Sequence, residues 1–181
     1  MYEKIKQTKE VKSVFEVGCG SGANLYLLKN RNIKVGGVDY AGILVDVANE
    51  ILGENAVDIG EAAAFDVSPK YDIVLCDSVF AYFSDEEYGA AVLQKMYDKA
   101  EKGVFISEIF DKALEDECNR HRKAMIENYD EKYKGLDKTF YSRDMFISFA
   151  KEHDCRIEFS DVTNEYYWNS RYLFNCFLYK N

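Results

Sequence analysis

Three glycines alternate in Glu16-Val17-Gly18-Cys19-Gly20-Ser21-Gly22, just after a short apolar run and just before a helical one. Glycine there lets the backbone turn sharply and approach a ligand with no Cβ in the way. Asp39 lies 21 residues beyond Gly18, at the end of the next apolar run. A carboxylate so placed can accept hydrogen bonds from both hydroxyls of a ribose through its two oxygens. The loop also fits the dinucleotide pattern as Gly18-x-Gly20-x-x-Ala23, so the loop alone leaves a nicotinamide-type fold open. Two further acids stand at the ends of later runs, Glu61 before Ala62 and Asp77 before Ser78.

The elements that must position these groups alternate along the chain. Strands are expected over 13–17, 35–39, 56–59, 71–76 and 103–107. The run 71–76 is continuously apolar, as a strand covered on both faces should be. Helices are expected over 23–29 and over 43–52, where Ile43, Leu44, Val47, Ala48, Ile51 and Leu52 repeat at three and four before Gly53. Ser84 and Glu87 predict a capping box ahead of Tyr88, Val92, Met96 and Ala100. Residues 112–133 and 142–152 are expected to be helical, and 156–162 and 171–179 to be strands. Such alternation predicts an α/β fold: a doubly wound, mostly parallel seven-stranded sheet. The last two strands are joined by only eight residues, too few for a crossover, so they form a C-terminal antiparallel hairpin.

With 181 residues, the chain is expected to be one domain, 1–181, with a helical insertion at about 112–140. Its net charge is −9, from 23 basic against 32 acidic residues, and no basic stripe stands out. That argues against nucleic acid as a partner. No apolar run is long enough to span a membrane, and the first ten residues lack the core of a secretory leader. Five cysteines form no CxxC pair and fit reduced thiols of a cytoplasmic protein. The expected partner is a small-molecule substrate.

EVGCGSG, GVDYA and YDIVLCDSVFAYF, in that order and spacing, resemble the motifs of the class I S-adenosylmethionine-dependent methyltransferases. The resemblance runs from about Val14 to the last strand, which in that family enters an otherwise parallel sheet antiparallel. It implies a Rossmann-like methyltransferase fold and S-adenosyl-L-methionine as cofactor. It implies that Gly18, Cys19 and Gly20 pass close to the methionyl and ribose portions, and that Asp39 meets both ribose hydroxyls. Tyr40 would lie against the adenine, with Glu61 or the Ala62 backbone at its edge and Asp66 as competitor for that contact. Asp77 would face the ammonium, and Glu16 and Ser78 belong to the same motifs. Only thirteen residues precede Val14, where the family usually carries lid helices. An open cofactor cleft, a shortened form of the family, or a partner that covers the site is therefore expected.

No N/D-P-P-Y follows the fourth strand, which disfavours nucleic-acid bases and glutamine as acceptors. The expected acceptor is a small molecule reacting through oxygen, such as a sugar or surface-glycan precursor. The alternatives are a non-catalytic cofactor-binding protein and an NAD-type enzyme, whose Tyr-x-x-x-Lys is not matched by Tyr129 and Lys132 or by Tyr97 and Lys99. Ligands of open α/β sheets bind beyond the carboxyl ends of the strands. The acceptor pocket is therefore expected between Tyr82, Glu108, the 112–133 helix and the aromatic trio Tyr166, Tyr167 and Trp168. Leu114, Cys118, His121, Met125 and Tyr129 recur at helical spacing, which predicts an inward His121. An imidazole titrates near neutral pH, so His121 is the expected base, with Glu108 as fallback. Glu117 and His121 lack a third ligand, so no metal is expected; His153 suits a helix C-terminus.

Overall fold

Strands apolar at consecutive positions need cover on both faces. The computed structural model describes residues 2–8, 10–53 and 55–181. Its elements run α1 (Tyr2–Gln7), β1 (Ser13–Val17), α2 (Ala23–Lys29), β2 (Lys34–Asp39), α3 (Gly42–Leu52), β3 (Val57–Ile59) and β4 (Tyr71–Asp77). They continue as α4 (Glu86–Lys99), β5 (Ala100–Phe110), α5 (Glu115–Met125), α6 (Tyr129–Lys132), α7 (Arg143–Glu152), β6 (Arg156–Asp161) and β7 (Leu173–Tyr179). Among the described residues the strands form one sheet in the order β3-β2-β1-β4-β5-β7-β6. The pairs from β3 through β5 are parallel. β7 runs antiparallel between β5 and β6, as the hairpin expectation required. The order reverses between β2 and β4 on either side of β1, which opens a crevice at the carboxyl ends of those strands.

Alternate residues of the central strands feed two cores. Phe15, Val17, Val74, Cys76, Val104 and Ile106 pack with Val92 and Met96 of α4 and Phe146 of α7. Val14, Ile73, Leu75 and Phe105 pack with Leu28 of α2 and Ile5 of α1. Thus α1, which apolar periodicity did not reveal, covers a sheet face. Asp72, beside the aromatic Tyr71, fastens β4 to β1. Its carboxylate accepts from the N–H groups of Lys12 (2.6 Å) and Ser13 (3.1 Å) and pairs with Lys102 at 2.9 Å. Burial pushes its pKa up, but those donors prevail and hold it below the usual carboxylate value. No helix among the described residues is long and apolar enough to cross a membrane.

Three local expectations need correction. The cap of α4 is Asp85, not Ser84: Asp85 accepts from the Tyr88 N–H at 2.7 Å, while Ser84 donates its hydroxyl to Asp85 at 2.9 Å. An anionic acceptor displaces the weaker hydroxyl from the cap. The expected helix over 112–133 is interrupted, because Asn128 adopts φ +56° between α5 and α6. Asn tolerates that left-handed conformation better than most residues. Within α5 the buried side chains are Cys118 and Arg122, one turn apart, whereas Met125 is 67% exposed. The inward face is therefore rotated away from the expected stripe.

Gly89 marks the tightest contact of α4 with the residues before α7. A Cβ built there would lie 2.5 Å from Cε1 of Tyr141, a fully buried ring whose hydroxyl donates to the Phe80 carbonyl at 3.0 Å. Alanine would gain about 1 kcal/mol of helix propensity, but overpacking costs about 1–3 kcal/mol. Gly89→Ala is expected to lower unfolding stability by about 1 kcal/mol. A rise in the urea midpoint would show that Tyr141 yields freely.

Candidate functional site

The glycine loop is fixed to β2 before any ligand arrives. The N–H groups of Gly18 and Cys19 both donate to the Val38 carbonyl, at 2.8 and 3.2 Å. Gly18 has φ +71°, and a Cβ there would fall 2.6 Å from Cγ2 of Val79, so both conformation and space demand glycine. Asp39 accepts from the Gly20 N–H at 2.8 Å through one oxygen and from the Ala41 N–H at 2.9 Å through the other. Cys19 turns its side chain into the α3 core with Val45 and Ala48, where burial pushes its thiol up to about 12. Of the residues expected here, Gly18, Asp39, Tyr40, Glu61, Ala62 and Ser78 line a cleft of about 530 Å³. Val79, Phe83 and Tyr88 add apolar wall that the sequence did not single out. Asp66 stays outside, exposed, and its carboxylate accepts from the Ser68 N–H at 2.9 Å.

Beneath the loop lies a cluster of carboxylates. Asn24, in the first turn of α2, donates to Glu16 at 2.8 Å and to Asp77 at 3.0 Å. Sequence reasoning missed Asn24, whose only signal is its place just past the glycines. Glu16 is 2% exposed, and its Oε2 has no hydrogen-bond partner. Burial raises its pKa to about 8, opposed by the Asn24 bond and aided by the charges of Asp77 and Asp39.

A second cavity, of about 300 Å³, opens over β4 and β5 and shares Ser78 and Tyr82 with the first. Ser78 follows β4 with φ +60°, and Glu108, just past the last β5 residue paired to β4, has φ +59°; the Ser78 hydroxyl donates to the Glu108 carboxylate at 2.6 Å. The expected pocket members Tyr82, Glu108, Tyr167 and Trp168 line this cavity; Tyr166 does not, being 91% exposed. Only Asn169 and Ser170 of the 163–170 turn are buried, and Tyr166 stands out into solvent. His121 is not among the lining residues either. Its Nδ1 lies 3.0 Å from the Tyr172 hydroxyl, and its ring stacks on Trp168 at 5.3 Å. The rotation of α5 places Arg122 in the cavity instead, with Lys138 and Asn169, none of which the sequence singled out. His153 follows the last turn of α7, its Nδ1 3.0 Å from the Phe149 carbonyl. Among the described residues no group of three or more His, Cys, Asp or Glu is arranged to hold a metal.

Residues 14–103 match a family described as a methyltransferase domain. The dTDP-4-amino-2,3,4,6-tetradeoxy-D-glucose N,N-dimethyltransferase of Saccharopolyspora spinosa is 28% identical over 67 residues. That match takes in 37% of this chain and 27% of the relative, so the chain spans about a quarter of that curated relative. Magnesium protoporphyrin IX methyltransferase from Synechocystis PCC 6803, solved with bound SAH, superposes with a TM-score of 0.72 at 14% identity, covering 99% of this chain and 79% of that one. An amino pentose methyltransferase from Micromonospora echinaspora, solved with SAM, gives 0.72 at 13% identity over 97% and 87%. At such identities the likeness to these structures is one of fold. The family match and the fold agree with the resemblance to the class I S-adenosylmethionine-dependent methyltransferases.

The residues present fit that family's cofactor. Asp39 offers spare lone pairs to a diol, the Tyr40, Phe83 and Tyr88 rings suit a flat base, and the carboxylates beneath the loop suit a cation. The Glu16 carboxyl makes one prediction for the unliganded protein. Its folded pKa lies above the ordinary 4.5, so its contribution to stability is present below that pH and lost as pH rises through about 8. Glu16→Gln keeps an acceptor for Asn24 but cannot ionise. It is expected to match the wild type in urea unfolding at pH 5 and to exceed it by a few kcal/mol, roughly, at pH 9. A difference that does not vary with pH would refute the buried-acid account.

Proposed function

We propose that this chain transfers a methyl group from S-adenosylmethionine to an oxygen of a small polar acceptor, such as a sugar or glycan precursor. The support is the meeting of the two cavities at Ser78 and Tyr82: a molecule in the second has a direct way to one in the first. The cofactor, when bound, supplies a methyl group already activated by its sulfonium. The chain then has to hold the cofactor, align an acceptor and exclude water. Asp39 would hold the ribose, Tyr40 and Ala62 the base, and Asp77 and Glu16 the cationic end.

Glu108 is the base the geometry favours. It lines the acceptor cavity, where general-base catalysis requires hydrogen-bond reach. It also receives the Ser78 hydroxyl, which fixes its orientation. His121 instead supports the cavity wall through Trp168 and Tyr172. An amine is the second acceptor reading, favoured by the amino-sugar activities for which two of the relatives are named.

Two measurements test this. By calorimetry, Asp39→Ala should weaken S-adenosylmethionine and its demethylated product alike, by roughly ten- to hundredfold, the effect of losing hydrogen bonds to a charged group. Preferential binding of NAD(H) by the wild type would overturn the cofactor assignment. With a labelled methyl donor and a panel of sugars and amino sugars, Glu108→Gln should lower turnover by about 10²–10⁴ with unchanged cofactor affinity. His121→Asn should keep near-normal turnover; the reverse ranking of these two variants would return the base role to His121.

A further inference from the structure

Arg122 is 4% exposed, and its side chain has no hydrogen-bond or ion-pair partner among the described residues. Its guanidinium carbon lies 5.3 Å from the ring centroids of both Tyr129 and Tyr133. Aromatic faces attract the cation but leave its in-plane N–H groups unused. A buried charge without a counter-ion is costly, and Arg122 lines the acceptor cavity. Asn169 lines it too, and its Oδ1 is a second buried polar atom without a partner. Lys138, also in the lining, has its Nζ 3.3 Å from the Tyr82 ring centroid. The acid of the cavity, Glu108, forms no ion pair with either cation among the described residues and takes the Ser78 hydroxyl instead.

Building on the methyl-transfer reading, we propose that the acceptor carries a carboxylate that binds Arg122. Its reacting end then lies toward Ser78 and Tyr82, where the cavity meets the cofactor cleft. The guanidinium fork matches a carboxylate in plane, through two parallel N–H···O bonds. Two cations against one acid leave the lining with a surplus of one positive charge, which a monoanion neutralises. A neutral acceptor would leave Arg122 unpaired, and a phosphate dianion would overshoot. The Asn169 amide oxygen accepts a hydroxyl or amine of the same molecule. A cavity of about 300 Å³ confines the acceptor to a compact molecule.

The probes are benzoate and acetate, with benzamide and acetamide as uncharged isosteres and phenyl phosphate as the dianion. They are titrated into the full chain carrying ¹⁵N-arginine, with and without SAH. The carboxylates are expected to move the Arg122 Nε–Hε resonance and to bind roughly tenfold or more tightly than their amides. Arg122→Gln should erase that preference while SAH affinity stays unchanged. If the variant does not fold, the wild-type resonance and the acid-to-amide ratio decide. Equal binding of acid and amide, or an Arg122 resonance blind to both carboxylates, overturns the proposal. Tighter binding of phenyl phosphate than of benzoate overturns the choice of anion. Carboxylate binding at Arg122 in a protein that does not bind SAH would sink the methyl-transfer reading and leave the anion site standing.

Discussion

One buried carboxylate holds the functional edge of the sheet together. Asp39 accepts from Gly20 with one oxygen and from Ala41 with the other, so the loop after β1 and the start of α3 share a single anion. Both bonds are charge-assisted, and they satisfy two N–H groups at turns where strand pairing has ended. The Val38 carbonyl adds the opposite tie by receiving Gly18 and Cys19. The shape of the glycine loop is thus set by β2, its neighbour across the parallel ladder. A ligand entering this cleft meets a floor already ordered, and little backbone freedom remains to be lost on binding.

The other half of the edge holds strained backbone in place through hydrogen bonds. Ser78 and Glu108 are neither glycine nor asparagine, yet both are left-handed, each just past the last pair between β4 and β5. Each such residue costs on the order of 1 kcal/mol and persists only where its surroundings over-determine it. Here the surroundings are the Ser78 N–H on the Ser107 carbonyl, the Glu108 N–H on the Asn175 side chain, and the bond between the two side chains. The β5–β7 register shifts between Ile106 and Ile109, around Glu108. The irregularity leaves Glu108 in the cavity wall, while Ile109 and Phe110 resume pairing with β7.

The sheet was legible because it rests on redundant signals. Continuous apolar strands, glycine punctuation and the short final connection together imply a seven-stranded, mostly parallel sheet ending in an antiparallel hairpin, and small boundary errors do not disturb it. The motif residues at strand ends were legible for the same reason: each position follows from its strand. What escaped depends on single contacts. Asn24 has no pattern that separates it from any polar residue in a first helical turn, and α1 is too short to show amphipathic periodicity. The choice between Ser84 and Asp85 as cap is a contest between adjacent acceptors, settled by charge.

The misplacement of His121 has a different cause, and it bears on the charges that the two cavities hold. Apolar periodicity assigns a helix face by assuming that charged residues point outward, and in α5 that assumption fails at Arg122. The face shared by Cys118 and Arg122 is buried, although its second member is a cation. Two tyrosine rings from the following segment make that burial tolerable, and the break at Asn128 separates α5 from the segment that supplies them. Glu16 presents the complementary case, a carboxyl buried beneath the glycine loop with one oxygen unpartnered. The chain therefore keeps one under-satisfied acid below the glycine-loop cleft and one cation without a hydrogen-bond partner in the neighbouring cavity. On the proposed function, a cationic cofactor end would favour ionisation of Glu16 and an anionic acceptor would neutralise Arg122, because charges in a low-dielectric interior are weakly screened.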